Sequence, residues 1–437
     1  MNGLRDSGVN YLVSRLGGIE PKLPERDRAP RHMKRIVFLN RFFFPDHSAT
    51  SQILGDLAFH LASRGNDIRV ITSQQHYDNP RARLPETDTV RGVTIHRLPT
   101  TQFGRSALLG RGIDCLSFYA STWRSVLALT NQDDILVVKT DPPLLCVAAM
   151  HAAGRRGVRL VNWLQDLYPE AAVELGVPLL RGPLGQVLFH LRDVALRAAK
   201  ANVVISQRMA ENVRSRGIAS DRIHVIENWC DDEEIRPIPH IDNPLRREWG
   251  LEDKFVVGYS GNLGRAHEFD TVLAAAERLA HDTRAVFLFI GGGHKFDELA
   301  RRVKERRLDR LFRFIPYQDR ALLRYSLGVP DVHWISLKPE LEGIALPSKF
   351  YGIAAAGRPV IAITAKDGEF ARLIRQHDCG FVIEPGHADA LAGTLTRLSS
   401  DTKCLAAMGL RAREMLEAHF ARQHAFERWR SLLADIG

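Results

Sequence analysis

The chain is poor in cysteine, shorter in acidic than in basic side chains, and without an apolar run long enough to cross a bilayer. Its five cysteines, Cys115, Cys146, Cys230, Cys379 and Cys404, are scattered, with no CxxC pair and no metal-ligand spacing. A disulfide scaffold and a zinc module are thereby disfavoured, and a reducing cytoplasm fits. The most apolar stretches, 144–153 and 126–130, are short or broken by charge, so no membrane span is expected. The opening MNGLRDSGVNYLVSRLGG lacks the basic-then-apolar order of a secretory signal, and no export is expected. No DxD pair stands in a metal-binding context. The shortage of acid, 51 Asp and Glu against 60 Lys and Arg, leaves a net charge of +9. That excess favours anionic company: nucleotide phosphates, a lipid diphosphate or an anionic membrane face. No nucleic-acid-binding module is recognisable, so nucleic acid is not expected as a partner.

What the chain does have is length and alternation. At 437 residues it exceeds one ordinary core, and its hydrophobic and charged fractions, 45% and 25%, are those of a globular protein. The polar segment 1–33 reads as a poorly structured extension, with Met33 as the natural start, because the pattern begins at MKRIVFLN. Strand-like runs at 35–40, 68–72, 93–98, 135–139 and 159–163 alternate with helical patterns such as 51–63, where Ile53, Leu54, Leu57, Ala58 and Leu61 share a face. The composition shifts at the proline-rich 236–244, and a second series follows with strands at 285–290, 312–315, 331–335 and 360–363. The expected class is α/β, with two Rossmann-like doubly wound domains. The expected divisions are 34–236, 237–405 and a helical 406–437, whose apolar Phe426, Trp429, Leu432 and Leu433 are too many for a free tail.

In such sheets ligands gather at the strand C-termini, and the sequence puts its unusual residues there. In FFFPDHSAT, the small Ser48 and Ala49 leave a backbone open to close approach, or simply make a strand-to-helix turn. Two clusters, 140–143 (TDPP) and 165–170 (QDLYPE), end later strands; Asp166 is either an acceptor-side positioning group or the cap of the next helix. The segment 181–216 interleaves apolar residues with Arg181, Arg192, Arg197, Lys200, Arg208, Arg214 and Arg216. It reads as a basic face for anionic lipid or as solvated arginines. In the second half the loop 258–267 can bend its backbone toward an anion beside Arg265, and Gly291 to Gly293 form another glycine-rich strand end. The stretch 340–362, ELEGIALPSKFYGIAAAGRPVIA, reads as a loop, a helix opening at Pro347, a Gly357 cap and a buried strand. Free amides and the positive helix end there make a seat for a phosphate.

This last stretch resembles the donor-binding motif of the family 4 nucleotide-sugar glycosyltransferases. Nearest is the colanic acid and O-antigen branch, fucosyl- and N-acetylfucosaminyl-transferase-like, which carries PSK at 347–349. The resemblance spans the chain from about Met33 and implies the GT-B architecture, two domains facing across a cleft. It implies catalytic roles for Glu342, Lys349, Arg265 and Asp166. Donor contacts are implied at Gly261, Asn262, His267, Gly291, Gly292, Tyr317, Gly343, Ile344, Ala345, Leu346 and Ser348, and an acceptor side at Ser48, Ala49 and Gln165. Four residues depart from the family pattern: Gly352 replaces a ribose-binding Glu, Gln165 a His, and Asn262 and His267 the usual Arg and Lys. The activity implied is retaining transfer of a hexose from a UDP- or GDP-sugar to a glycan or polyprenyl-diphosphate-linked acceptor. No metal or cofactor is expected, and the implied location is cytoplasmic or peripheral on the inner membrane face. Two other readings stay open: a nucleotide-sugar epimerase, and a non-catalytic relative serving as an assembly partner.

Overall fold

The computed structural model describes residues 35–46, 48–76, 83–101, 103 and 108–437. The expected extension 1–33, the start at Met33 and His47 of the first strand-to-helix loop lie outside them. Short apolar runs bounded by polar or glycine-bearing turns build two sheets. The first contains β1 (Ile36–Leu39), β2 (Ile68–Ser73), β3 (Thr87–Val90), β4 (Val93–Leu98), β5 (Ile135–Lys139), β6 (Arg159–Leu164), β7 (Ala201–Val204) and β8 (Ile223–Val225). Their order is β3-β4-β2-β1-β5-β6-β7-β8, parallel except for β3. The second contains β9 (Phe255–Asn262), β10 (Ala285–Gly292), β11 (Phe312–Ile315), β12 (Val332–Ser336), β13 (Val360–Ile363) and β14 (Gly380–Ile383), all parallel, in the order β11-β10-β9-β12-β13-β14. Every residue of β1, β5 and β13 is buried, as a strand covered on both faces requires.

The crossovers of the first half are α1 (Ala49–Ser63), α2 (Leu108–Leu129), α3 (Leu145–Arg156), α4 (Glu170–Glu174), α5 (Pro183–Ala198) and α6 (Gln207–Ser215). Those of the second are α7 (Pro244–Glu248), α8 (Asp270–Arg278), α9 (Phe296–Glu305), α10 (Leu323–Gly328), α11 (Lys349–Ala355), α12 (Glu369–His377), α13 (Ala388–Ser400) and α14 (Thr402–Met415), and α15 (Arg422–Ile436) closes the chain. Leu57 and Leu61 of α1 and Phe426 and Trp429 of α15 cover one face of the first sheet, with Trp163 4.6 Å from Trp429. Helices α2, α3 and α5 cover the other. Met415, Leu416 and Phe420 still pack with Phe350 and Phe370 of the second half, so the chain changes halves just before α15.

The edge strand β3 has no counterpart among the sequence expectations. Its exposure alternates along TDTV, and it turns onto β4 through Arg91 and Gly92, both left-handed at φ 50 and 82. That is a two-residue hairpin, and the Arg-Gly pair between alternating segments was its signal. Sheet order reverses between β1 and β5 and between β9 and β12, and the loops leaving these strands are where a doubly wound sheet collects ligands. No helix among the described residues is long and apolar enough to cross a membrane.

Candidate active site

The site is built where β9 and β10 end beside the start of α11. The two strands stay in register to the last residue, Gly261 beside Gly291 and Asn262 beside Gly292. A Cβ on Gly291 would lie 2.3 Å from the Gly261 carbonyl oxygen, and its φ is 136, so glycine is required for this approach. The Tyr317 ring overlies Gly292, 3.1 Å from a Cβ built there. Into this corner comes Lys349. Its Nζ donates to the Tyr259 hydroxyl at 2.5 Å and the Asn262 carbonyl at 3.3 Å, and lies 3.2 Å from His267 Nε2. His267 Nδ1 lies 2.7 Å from the Ser336 carbonyl, which fixes the proton on Nδ1 and leaves Nε2 to accept from the ammonium. Burial lowers Lys349 to about 7, and burial together with Lys349 holds His267 down at about 3. The imidazole is therefore neutral, and the cation's named partners carry no negative charge. An ammonium so placed gains most from an incoming anion.

The loop ahead of α11 meets the first half directly. Asp166 pairs with Ala345 in an antiparallel bridge, Leu167 N–H donates to the Ile344 carbonyl at 2.8 Å, and Asn212 Nδ2 donates to the Gly343 carbonyl at 2.9 Å. Gly343 sits at φ 70, and a Cβ on it would come 2.6 Å from Asn212 Nδ2, so the contact requires glycine. Glu342 is held by Thr364 Oγ1 at 2.6 Å and by the Glu369 N–H at 3.2 Å, over the start of α12. Burial lifts its carboxyl above the usual range, and those two hydrogen bonds partly offset the rise. Burial, then the neighbouring Asp141, lifts Asp166 to about 6.

Two sequence expectations are corrected here. The helix opens at Lys349 with Ser348 as its cap, not at Pro347, and runs for only 7 residues, so its dipole is that of two turns. The Ile344 and Ala345 amides both donate to the Leu341 carbonyl, at 3.0 and 3.1 Å, because the segment folds into a local turn. They are not offered to an anion. In the first turn of α11 the Tyr351 amide is likewise taken, by the Ser348 carbonyl at 3.3 Å, which leaves the Lys349 and Phe350 amides as those without a partner inside the helix.

Other expected residues lie where a common site does not include them. Arg265 is exposed and lines a depression of ≈ 310 Å³ with Glu174, Lys295 and Lys338, whereas Lys349 lines a different cavity of ≈ 280 Å³. That second cavity is shared with Ala49, Asp56, Ser260, Gly261 and Gly352, and thus with both halves. The Gln165 side chain turns inward to accept from Asn228 Nδ2 at 2.9 Å, and Ser48 Oγ is buried with no partner among the described residues. The basic face expected at 181–216 does not form as such. Arg192 is buried on Glu170 and Asp193, Arg216 also pairs with Glu170, and Arg208 pairs with Asp367 of the other half. Sequence reasoning missed Tyr259, Thr364 and Asn212. A tyrosine within the apolar run FVVGYSG was the one available signal; the other two act only through tertiary contact. Among the described residues no group of three or more His, Cys, Asp or Glu is placed to hold a metal ion.

The Asp166 value gives a first expectation. A carboxyl at about 6 is ionised only above that pH, so kcat/KM should fall as pH drops through about 6, and Asp166→Asn should flatten that limb. A limb unchanged in the variant would assign the titration to another group.

Residues 49–229 match the family described as glycosyl transferase 4-like domain, and residues 242–415 match glycosyl transferases group 1. WbjE of Pseudomonas aeruginosa, described as a glycosyltransferase, is 26% identical over 335 residues, 76% of this chain and 82% of that protein. WcaI of Escherichia coli (strain K12), described as a colanic acid biosynthesis glycosyl transferase, is 25% identical over 364 residues, 80% of this chain and 88% of that protein. The fold is shared with HepE of Anabaena, solved in complex with UDP and glucose, at a TM-score of 0.68 and 17% identity over 92% of this chain and 100% of that one.

Proposed function

This chain belongs to the family 4 glycosyltransferases of GT-B fold, and from that premise we propose that it moves a hexose, of fucose or N-acetylhexosamine type, from a nucleotide-sugar donor to a glycan or polyprenyl-diphosphate-linked acceptor. Retention of anomeric configuration is part of the proposal. The similarity to WcaI, described as a colanic acid biosynthesis enzyme, favours a place in bacterial exopolysaccharide or O-antigen assembly. The observation that carries the reading is Lys349, whose named partners in the cleft are Tyr259, His267 and the Asn262 carbonyl.

In this reading Lys349 and the first-turn amides of α11 hold the donor diphosphate and stabilise the charge that grows on it as the sugar C1–O bond breaks. Glu342 lies by the hexose, accepting hydroxyl hydrogen bonds and supporting positive charge at C1. The acceptor hydroxyl attacks the same face, forms the new C1–O bond, and passes its proton to the departing phosphate oxygen. Asp166, on the strand end bridged to Ala345, orients that acceptor.

A thermal-shift panel of UDP- and GDP-sugars identifies the donor, since a ligand of the folded state alone raises its melting temperature. Titration calorimetry of that donor in buffers of differing ionisation enthalpy then tests Lys349. Its value of about 7 in the free protein must rise beside a diphosphate, so binding should take up about 0.5 proton near pH 7. Proton-free binding that Lys349→Met does not weaken would remove Lys349 from the diphosphate. Product anomers, read by NMR, decide between retention and inversion.

A further inference from the structure

The helices on the far face of the first sheet carry a surface that the transfer chemistry does not use. α2 packs on α3 and α3 on α5, with Phe118, Leu145 and Ala195 among their inner side chains. On the outside they present six of the eleven large apolar side chains that the described residues expose. These are Ile113 and Leu116 of α2, Leu179 of the 3-10 turn Pro178–Arg181, and Leu184, Val187 and Leu191 of α5. The last three recur at intervals of three and four and so form one stripe along the helix. Leu179 is 68% exposed, Leu116 65% and Val187 53%, which is open display and not the rim of a core.

Charge on this face has one sign. The four elements contain only two carboxylates, Asp114 and Asp193, and these are 3% and 9% exposed. Asp114 is occupied by the Phe103 N–H and the Thr101 hydroxyl, and Asp193 by Arg192. The exposed charges are cationic, Arg124, Arg155 and Arg181 among them. A second copy of the chain docked here would oppose cations to cations. An anionic bilayer surface would complement both components, taking the apolar stripe at the acyl boundary and the arginines at its phosphates. The stripe also lies at the end of the helices nearest the strand C-termini, because crossover helices run back against their strands. It therefore flanks the end of the sheet that carries Asp166.

We infer that the α2–α3–α5 face seats the enzyme on an anionic membrane leaflet, with Leu184, Val187 and Leu191 entering it beside the acceptor side of the cleft. The inference rests on the lipid-linked acceptor proposed above. Flotation of the full chain with vesicles tests it, using phosphatidylcholine alone and phosphatidylcholine mixed with phosphatidylglycerol. The wild type should float with the anionic vesicles and scarcely with the neutral ones, and salt should weaken its binding. Leu184→Asp with Val187→Asp should lower binding about tenfold or more, with the melting temperature and the response to the donor panel unchanged. Arg155→Glu with Arg181→Glu should also lower it, independently of the apolar pair. Flotation that both variants leave intact overturns the inference, as does a wild-type dimer that the apolar variant turns to monomer. Vesicle binding that persists in a chain answering to no donor would leave this surface standing while the transferase reading fails.

Discussion

Lys349→Ala is expected to lower kcat/KM for sugar transfer by about 10²–10³-fold while the melting temperature stays close to that of the wild type. The two parts of that expectation come from the same geometry. The ammonium is buried without a named counter-charge, so the folded protein gains little from it and holds it near 7. Its removal strands few polar groups. The Tyr259 hydroxyl still donates to the Asn262 carbonyl at 2.8 Å, and His267 Nδ1 keeps the Ser336 carbonyl. Of the three groups that Lys349 touches, only His267 Nε2 is left with no other named partner, and burial already favours a neutral ring. A diphosphate seated in the cavity beside Gly261 and Ser348, in contrast, would lose the ammonium that lines it there, with Arg320 and Arg324 the other cations that line the same cavity. Steady-state kinetics and a thermal melt of the same preparation read both quantities. Transfer within a few-fold of wild type would show that the leaving group is stabilised elsewhere, with Arg265 the next residue to test.

Much of this fold is legible in the amino-acid sequence because a doubly wound sheet writes a strong pattern. β4, β5, β11 and β13 fall on expected runs, each a short apolar segment flanked by turn residues. The small edge strand β3 escapes because its half-polar alternation resembles a loop. For the site, sequence carries the loops but not the aim of their side chains. Asn262 and His267, which read as departures from the family pattern, end beside Lys349 through a carbonyl and a neutral ring. Arg265 lies two residues before His267, yet it lines another depression, because the chain turns between them. The arginines of 181–216 look alike in sequence. Burial separates Arg192, locked on Glu170, from Arg181, open to solvent. Such sorting depends on the partner elements, and no local rule supplies it.

Glu342→Ala should reduce kcat/KM by about 10²-fold or more and, unlike the lysine change, should also cost stability. The carboxylate is the partner of the Thr364 hydroxyl and of the Glu369 N–H at the start of α12. Leaving those donors without it costs about 1–3 kcal/mol, which for a domain of this size lowers the melting temperature by about 2–4 °C per kcal/mol. A loss of activity alone therefore could not tell a group that touches the sugar from one that merely braces α12. Thr364→Val separates them, since it deletes the stronger of the two braces and leaves the carboxylate in place. If Glu342 faces the hexose, Thr364→Val should lose only a few-fold at a temperature well below its melt, while Glu342→Ala loses the full factor. Because burial raises the Glu342 carboxyl, its ionised form disappears at a higher pH than for an exposed glutamate. Removing the Thr364 hydrogen bond, which opposes that rise, should move the Glu342 limb to higher pH still, read in an Asp166→Asn background where the limb near about 6 is flattened. Equal activity losses in the two variants, with no movement of that limb, would reduce Glu342 to a structural brace and leave charge at C1 without a protein partner.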